Sequence, residues 1–418
     1  MVYAASGKGR MTVRSISAGG GFLNVDPHAS RGQGVEAASV GEVEASVSMT
    51  KTVVSAPGVA PKPLHVVVVT PLGPGGRGGI DRLMDEIRPV LRKQDAQQVD
   101  VRFLTTRGRG GIVWSPLFLL RAALMLTWLK ATWRIDVVHI NLSAHGSTYR
   151  KLFLSYLTRA LRIPYVVHLH SGYFREFWDQ ASGPLSRAID GLFAHATRVV
   201  VLGSVWKDYV DEKCPAAHSR TVVLPNATRS AVSVGKAADA PVGILYLGKL
   251  AGHKGIPELV SALSRVEDLP NWTAVLAGNG DVDITREQVA KLGLSARISL
   301  PGWVDDAAVQ AYLQASDILV LPSYYENLPM SVIEGFAYGI AVVTTPVGGI
   351  PEIVEHETTG LLVPPGDVDA LTDALRRVVT DATLRHRLGA NAKAFHTEKL
   401  EINGYVQRLI AIWKAAAS

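Results

Sequence analysis

Hydrophobic residues form short, regularly repeated runs along most of this 418-residue chain, beginning at Leu64. Runs such as Val66–Val69 are apolar at every position, which is typical of parallel strands covered by helices on both faces. Amphipathic, helical stretches lie between these runs. The first series predicts strands at His65–Thr70, Val99–Leu104, Asp136–Ile140, Tyr165–Leu169, Arg198–Leu202 and Thr221–Leu224, with helices near Ile80–Gln94, Pro116–Thr132, Thr148–Leu161 and Pro184–His195.

The alternation stops at a linker-like stretch, residues 229–241, that is rich in Ala, Ser, Gly and Val, and then restarts. The second series predicts strands at Val242–Leu247, Thr273–Ala277, Arg297–Leu300, Asp317–Leu321 and Ala341–Thr345, with helices near Ile256–Val266, Ile284–Leu292, Asp306–Ala315, Met330–Tyr338 and Val368–Val379. Two such series predict an α/β chain of two doubly wound parallel-sheet domains, joined at about residue 235. Sites in such pairs lie in the cleft, at the carboxyl ends of the strands.

The pattern divides the chain into four segments. Residues 1–62 show neither period and are rich in small residues, so we predict a disordered extension there, without a signal peptide. Residues 63–235 and 236–395 are the two α/β domains. Residues 396–418 include a final helix, about Glu401–Ala416, that is long enough to reach back over the first domain.

Composition and charge indicate which classes of partner the protein can have, but they say little about the reaction. The net charge of +6 fits phosphate-bearing substrates or an anionic membrane surface, and it is too diffuse to indicate nucleic acid. A single cysteine, Cys214, excludes disulfides within the chain and fits the cytosol. The apolar stretch Trp114–Trp133 is interrupted by Arg121 and Lys130, so we interpret it either as a helix packed on the sheet or as one lying in a membrane interface, and not as a membrane span.

Two glutamates, Glu326 and Glu334, follow the strand Asp317–Leu321 in the segment ENLPMSVIE. Pro329 suits the first turn of the next helix, whose free amides would point at the carboxyl end of the sheet and favour an anion there. A solvated acidic pair is the ordinary alternative. The position after a strand and beside a helix N-terminus favours a pair that faces the cleft.

These glutamates form an E-x7-E pattern, and other segments accompany it in order: PNAT at Pro225–Thr228, LAGNGD at Leu276–Asp281 and the long segment Thr344–Asp367. Together they resemble the retaining glycosyltransferases of family 4, also called group 1, which have the GT-B fold. The resemblance covers roughly residues 64–400. The ordered set is highly specific, whereas a single E-x7-E pattern is common by chance.

The resemblance implies roles for residues of the second domain. Glu334 would hold the donor ribose hydroxyls, since a carboxylate accepts two such hydrogen bonds. Glu326 would lie against the transferred sugar, and backbone amides of Asn327, Leu328 and Met330 would bind sugar and phosphate oxygens. Lys249 and Lys254 match the family's R-x4-K pair, which neutralises the diphosphate. Lys249 stands where Arg is typical, and therefore lacks the bidentate fork.

The first domain supplies a glycine turn and a histidine. Gly78 and Gly79 lie at a strand-to-helix turn and match the family's N-terminal glycine loop, although such turns also serve structure alone. The family has a histidine that touches the donor sugar. His170, at the end of the strand Tyr165–Leu169, suits this place better than His168, which should point to the other side of the sheet. A purely structural histidine is the alternative.

No metal or other cofactor is expected. Asp281 and Asp283 mimic a D-x-D metal motif, but we interpret them as a loop or helix cap. No His, Cys, Asp or Glu cluster has metal-ligand spacing, and neither a P-loop nor a G-x-S-x-G motif occurs.

The resemblance thus implies metal-independent transfer of a hexose from a nucleotide diphosphate sugar to an acceptor hydroxyl with retention, through Glu326, Lys254 and His170. The apolar Trp114–Trp133 helix and a basic set suggest a lipid-linked saccharide acceptor at the cytoplasmic face of a membrane. That set comprises Arg150, Lys151, Arg159 and Arg162. A GT-B-like sugar-nucleotide epimerase and a non-catalytic sugar-nucleotide-binding protein are the alternatives. The sequence does not disclose the donor base, the transferred sugar, the acceptor and its linkage, or the oligomeric state.

Overall fold

Two six-stranded parallel sheets organise the protein. The computed structural model describes residues 62–76, 78–94, 98–108, 112–132, 134–232 and 240–418, all within one compact unit. The predicted extension 1–62, apart from Lys62, and the predicted junction at residue 235 lie outside the described residues.

The first lobe is built around strands in the order β2-β1-β3-β4-β5-β6. Its elements are β1 (Leu64–Thr70), α1 (Gly79–Gln94), β2 (Val99–Thr105), α2 (Ser115–Ala131), β3 (Val137–Leu142), α3 (Gly146–Ala160), β4 (Tyr165–Leu169), α4 (Phe174–Asp179), α5 (Gly183–Ala194), β5 (Arg198–Val201), α6 (Ser204–Lys213) and β6 (Thr221–Val223). The all-apolar Val66–Val69 run is the centre of β1, buried on both faces between β2 and β3. Burial on both faces is what a parallel sheet requires.

The second lobe has the strand order β12-β11-β10-β7-β8-β9. Its elements are β7 (Val242–Leu247), α7 (Ile256–Ser264), β8 (Trp272–Ala277), α8 (Val282–Lys291), β9 (Ile298–Gly302), α9 (Asp306–Ala315), β10 (Ile318–Leu321), α10 (Met330–Tyr338), β11 (Ala341–Thr344), β12 (Leu361–Leu362), α11 (Val368–Thr380) and α12 (Ala382–Phe395). Asp305, Asp367 and Asp381 begin α9, α11 and α12, each accepting a backbone N–H three residues later.

The last helix, α13 (Ile402–Ala417), returns to the first lobe. Its residues Tyr405 and Trp413 are fully buried in one apolar cluster with Val66 and Leu83 of that lobe. The chain enters α13 beside the first lobe, because Ile402 N donates to Thr228 O at 3.0 Å. The C-terminal segment therefore links the two lobes.

The α/β prediction with two doubly wound parallel sheets is confirmed, and each strand predicted from the apolar runs is present within about two residues. The sequence interpretation missed four elements, namely α4, α6, α12 and β12. One detail is wrong: Pro329 precedes α10 as its N-cap residue and is not part of its first turn.

Candidate functional site

A cavity of about 780 Å³ lies between the lobes, at the carboxyl ends of the strands of both sheets. It is lined by every residue that the sequence singled out for the site: Gly78, Gly79, His170, Lys249, Lys254, Glu326, Asn327, Leu328, Met330 and Glu334. Their roles stay predictions. The structure shows that the fold brings residues from both domains to one cleft of the size of common ligand sites.

The loop between β1 and α1 leaves space at its glycines. A Cβ atom built on Gly78 or Gly79 would meet no protein atom within 4 Å, so the volume beside both residues is open. The carboxylate of Asp81 fixes the preceding part of the loop, because Oδ1 accepts the backbone N–H groups of Leu72 at 3.2 Å and Gly73 at 3.0 Å. Burial raises the pKa of Asp81 and these hydrogen bonds oppose the shift.

The loop after β7 carries both predicted lysines. The hydroxyl of Tyr246 donates to the backbone oxygen of Lys249 at 2.8 Å and holds the turn. Gly278, at φ +155°, lies against this loop, where a Cβ atom would be 1.6 Å from the oxygen of Gly248. Only glycine allows this close approach of two backbones.

Lys254 and Glu326 are partners of each other. Lys254 Nζ donates to Glu326 Oε1 at 2.6 Å, and Ser323 Oγ donates to the same oxygen at 2.8 Å. Both charged side chains are largely shielded from solvent, with 19% and 11% of their side-chain surfaces exposed. The resemblance assigns Lys254 to the diphosphate and Glu326 to the transferred sugar, but in the structure their charges neutralise each other. The motif did not reveal this contact.

Glu334 is paired across the cleft. It lies within α10, is 7% exposed and accepts from Arg82 Nε of the first lobe. Arg82 also contacts Asp306 Oδ1 through Nη1 at 3.2 Å. Burial raises the pKa of Glu334, and the positive charge of Arg82 opposes that shift. Arg82 thus holds the carboxylate that the resemblance assigns to the ribose.

The segment before α10 is fixed by hydrogen bonds between the lobes. Asn327 Nδ2 donates to Leu169 O at 3.3 Å, and Asn226 Nδ2 donates to Leu328 O at 2.8 Å. Gly172 packs directly against the segment, since a Cβ atom there would be 2.7 Å from the backbone carbon of Glu326. These contacts position the N-terminus of α10, which begins at Met330, at the cavity wall.

His170 is held as a neutral ring. Asn141 Nδ2 donates to Val69 O at 3.1 Å, so Asn141 Oδ1 is the acceptor of the 2.8 Å bond to His170 Nε2. The proton therefore resides on Nε2 and leaves Nδ1 as an acceptor. Desolvation, with a contribution from the nearby His139, lowers the pKa of His170 to about 3.

His168 lies inside the fold rather than in the cleft. It is fully buried, and its Nδ1 lies 3.3 Å from His139 Nε2. Trp413 of α13 donates its indole N–H to His139 Nδ1 at 3.1 Å. The alternation of side chains along β4 thus separates a cleft histidine from an internal one.

Several site residues had no signal that sequence reasoning used. Arg82, Asp306, Ser323 and Asn141 are ordinary polar residues whose partners lie up to 252 positions away. Asn226 belongs to the PNAT segment, but its contact with Leu328 did not follow from that motif. The useful signal was position, because Asn141 directly follows the predicted strand Asp136–Ile140 and Arg82 follows the glycine turn.

The Asp281–Asp283 motif lies at the start of α8, in agreement with the interpretation of a loop or helix cap. Asp281 occupies the N-cap position of α8 without a side-chain cap hydrogen bond, and Asp283 pairs with Arg286 at 2.5 Å. Across the described residues, no group of three or more His, Cys, Asp or Glu side chains is arranged to hold a metal ion.

Comparison with known proteins links both lobes to one family. The family described as glycosyl transferases group 1 matches residues 233–395, and the glycosyl transferase 4-like domain matches residues 57–227. A 2-deoxystreptamine N-acetyl-D-glucosaminyltransferase of Streptomyces fradiae is 31% identical over 281 residues, covering 62% of this chain and 66% of that protein. An uncharacterized glycosyltransferase of Methanocaldococcus jannaschii is 30% identical over 174 residues, covering 41% and 45%. The matches thus span less than two thirds of these relatives' lengths.

A solved structure shares the architecture. The Anabaena HepE protein, in complex with UDP and glucose, superposes with a TM-score of 0.66 and 17% identity, covering 84% of this chain and all of that one. At this identity the likeness establishes the fold, two facing α/β domains of the GT-B type. With both lobes matched by family profiles in their expected order, the chain belongs to the group 1 glycosyltransferases.

Proposed function

We propose that this protein transfers a hexose from a nucleotide diphosphate sugar to an acceptor hydroxyl, with retention at the anomeric carbon and without a metal. The observation that carries the proposal is the convergence on one cavity of the Gly78–Gly79 turn, the two lysines, Glu326, the start of α10 and Glu334. Family membership supports the reaction class, and the UDP and glucose held by the Anabaena protein support a nucleotide-sugar donor.

The donor would lie mainly against the second lobe. Glu334 would accept hydrogen bonds from the ribose hydroxyls once Arg82 has left it. Lys249, Lys254 and the first amides of α10 would face the diphosphate, where positive charge and a helix N-terminus favour an anion. Neutral His170 would accept a hydroxyl hydrogen of the transferred sugar through Nδ1.

In the proposed reaction, the bond between the anomeric carbon and the diphosphate oxygen breaks while the acceptor oxygen bonds to that carbon on the same face. The acceptor proton passes to the departing diphosphate oxygen. Lys254 stabilises the charge that develops on the diphosphate, which is the largest contribution we assign to a side chain. Contacts between the lobes, such as Asn226 with Leu328, exclude water and so limit donor hydrolysis.

The acceptor would be a lipid-linked saccharide, bound by a peripheral protein at the cytoplasmic face of a membrane. Support comes from α2, the two residues before it, and α3, which together expose many large apolar side chains. Trp114 is 59% exposed and Leu124 63%; the other exposed members are Val113, Leu117, Leu120, Trp128, Tyr149, Phe153 and Tyr156. Such a surface with basic neighbours suits a membrane interface. Within the described residues, no helix is long and apolar enough to cross a membrane.

One part of the sequence argument for this surface is wrong. Lys151 is fully buried, and its Nζ donates to Thr106 Oγ1 at 2.8 Å. Burial lowers the pKa of Lys151 well below its usual value. It therefore contributes no charge to a membrane-facing surface, whereas Arg159 and Arg162 remain available for one.

A screen of UDP-, GDP- and ADP-sugars tests the reaction. Wild-type protein should release a nucleoside diphosphate, slowly with water and faster with an acceptor, and EDTA should not change the rate. Glu326→Ala and Lys254→Ala should each lower turnover at least about tenfold, or 1.4 kcal/mol in barrier. Glu287→Ala and Lys291→Ala, both on the exposed side of α8, are matched controls.

The product decides the remaining points. An α-configured product from an α-configured donor, identified by NMR, supports retention, and inversion contradicts it. An epimerised sugar nucleotide without nucleoside diphosphate release would identify the epimerase alternative. Binding without turnover of any of the three donors would favour the non-catalytic alternative.

A further inference from the structure

Two arginines, Arg107 and Arg150, line the first-lobe side of the cavity. Arg107 follows β2, and Arg150 lies in the second turn of α3. Within the described part of the chain, neither forms an ion pair with Asp or Glu. Arg82, in the same cavity, has two such partners, Glu334 and Asp306. Arg107 is exposed and Arg150 is only partly exposed, so of the two it is Arg150 that bears the larger cost of lacking an acidic partner among the described residues.

The two guanidinium groups are close enough to affect each other. Desolvation lowers the pKa of Arg150, and the positive charge of Arg107 lowers it further. Arg150 Nε is inaccessible to solvent and has no hydrogen-bond partner. Two like charges near each other and a buried donor without a partner are electrostatically unfavourable. A bound anion would offset both costs.

The beginning of α3 faces the same place. Gly146 and Ser147 line the cavity, and a Cβ atom on Gly146 would be 3.4 Å from Arg150 Nη1. The N-cap residue His145 provides no side-chain hydrogen bond to this 15-residue helix. The Thr148 N–H donates to His145 O at 2.9 Å, so the amides that an anion could meet beside the guanidinium of Arg150 are those of Gly146 and Ser147.

Asp81 also lines this part of the cavity, and its carboxylate is engaged through one of its two oxygens. Asp81 Oδ1 accepts the amides of Leu72 and Gly73, and the residue is 1% exposed. The predicted diphosphate contacts, Lys249 and Lys254, belong to the second lobe. The arginine pair thus provides a separate anion site, on the side of the cleft assigned to the acceptor.

We propose that Arg107, Arg150 and the first turn of α3 bind a phosphate group carried by the acceptor. That the phosphate belongs to an acceptor rests on the proposed function, whereas the anion site itself rests on the positions of these residues. Tyr149 and Phe153, which neighbour Arg150 on α3, belong to the exposed apolar surface. A phosphate joined to a lipid would therefore meet both its charge and its chain at adjacent surfaces. A free phosphorylated saccharide shares the phosphate chemistry, and the experiment separates the two sources.

The first experiment measures binding of the full chain to vesicles. Phosphatidylcholine vesicles contain either phosphatidic acid, with a terminal phosphate, or phosphatidylglycerol at matched surface charge. Wild type should prefer phosphatidic acid, and Arg107→Gln/Arg150→Gln should lose that preference by at least about tenfold in affinity. Arg92→Gln/Arg187→Gln removes the same charge from exposed positions and should keep the preference. Arg107→Lys/Arg150→Lys should restore part of it, which a folding defect would not allow.

The second experiment titrates inorganic pyrophosphate in a Lys249→Ala/Lys254→Ala background, which removes the predicted donor-diphosphate contacts. Binding that depends on Arg107 and Arg150, without a preference for phosphatidic acid vesicles, identifies a free phosphorylated acceptor and keeps the site. Equal binding of both probes by the double glutamine variant and its control overturns the proposal. Both experiments measure binding, so they test the anion site even if the protein turns over no sugar nucleotide. Conversely, if the anion site is absent, turnover that depends on Lys254 still supports the proposed function.

Discussion

Lys254 Nζ lies 2.6 Å from Glu326 Oε1, and the two side chains form one shielded ion pair in the cleft. A donor diphosphate would therefore have to compete with Glu326 for Lys254. In the structure the lysine is paired with Glu326, whereas the proposed reaction needs it for the leaving group.

A double-mutant cycle should detect this pair. Lys254→Ala leaves Glu326 with the Ser323 hydroxyl as its donor, and we expect a loss of about 1–3 kcal/mol in the free energy of unfolding. Because the partners contact each other, Lys254→Ala/Glu326→Ala should lose less than the sum of the single variants by at least about 0.5 kcal/mol. Urea unfolding measures these values. The exposed i,i+4 pair Glu287/Lys291 should couple by no more than about 0.5 kcal/mol, and a coupling no larger than that for Lys254 and Glu326 would contradict the ion pair.

Arg82 should set the pH dependence of nucleotide binding. Burial raises the pKa of Glu334 and Arg82 lowers it, so Arg82→Ala should raise that pKa. Glu334 would then protonate at higher pH, and the acid-side loss of nucleoside diphosphate affinity should begin at higher pH than in wild type. Above that range the variant should bind at least as tightly, because no arginine competes for the carboxylate.

Isothermal titration calorimetry across the pH range measures both effects. Arg92→Ala, an exposed change on the same helix, should reproduce the wild-type curve. An unchanged midpoint, or weaker binding by Arg82→Ala at high pH, would show that Arg82 does not control Glu334.

Gly172 should be required for activity rather than for folding. A Cβ atom there would be 2.7 Å from the backbone carbon and 2.8 Å from the backbone oxygen of Glu326, so one of the two lobes must shift. We expect Gly172→Ala to lower turnover at least about tenfold, since misplacement of reacting groups by a fraction of an ångström is costly. Gly191→Ala, where a Cβ atom meets nothing within 4 Å, is the control. Equal turnover of the two variants would contradict tight packing at this point.

The sequence predicted the fold well because its apolar runs are long and local. The run Val66–Val69 specifies a strand buried on both faces without knowledge of its neighbours. Short elements were missed for the same reason: β12 has two residues and α4 six, too few to show a period.

Only the site residues that belong to a motif could be predicted from the sequence. The E-x7-E pattern and its neighbours led to the cavity, but the partners of its charges did not follow from it. Arg82 reaches Glu334 across 252 positions, and that pairing depends on how the lobes meet. The arginine pair had even less signal, because Arg107 follows β2 and Arg150 lies on α3, and the two line one cavity only in the folded first lobe.

The buried histidines should make the protein acid-sensitive. Burial lowers the pKa of His139 to about 4 and of His170 to about 3, and lowers that of His168 well below its usual value. The native state keeps these rings neutral, while the unfolded chain protonates them near pH 6.5. Their contribution is complete above that pH and is lost as the pH falls toward the folded values, by about 1.4 kcal/mol per pH unit for each ring.

Guanidinium unfolding at pH 7.5 and 5.5 measures this loss. His139→Gln should reduce the loss of unfolding free energy between these pH values by the contribution of one ring. His386→Gln, at an exposed position of α12, should leave that loss unchanged. Equal stability at the two pH values would contradict neutral buried rings.

The exposed apolar surface of α2 should decide membrane binding. Leu120 and Leu124 are 55% and 63% exposed and lie one turn apart on the same side of α2. Leu120→Gln/Leu124→Gln removes apolar area without disturbing the buried residues Ala122 and Leu126, so the free energy of unfolding should stay within about 0.5 kcal/mol of wild type. Binding to anionic liposomes at low salt should fall at least about tenfold, because each leucine contributes about 1.5 kcal/mol or more when fully buried in lipid. Ile284→Gln/Leu292→Gln changes two exposed apolar residues at α8 of the second lobe and should bind like wild type. If wild type itself does not bind such liposomes, the membrane part of the proposal is wrong, whatever the variants do.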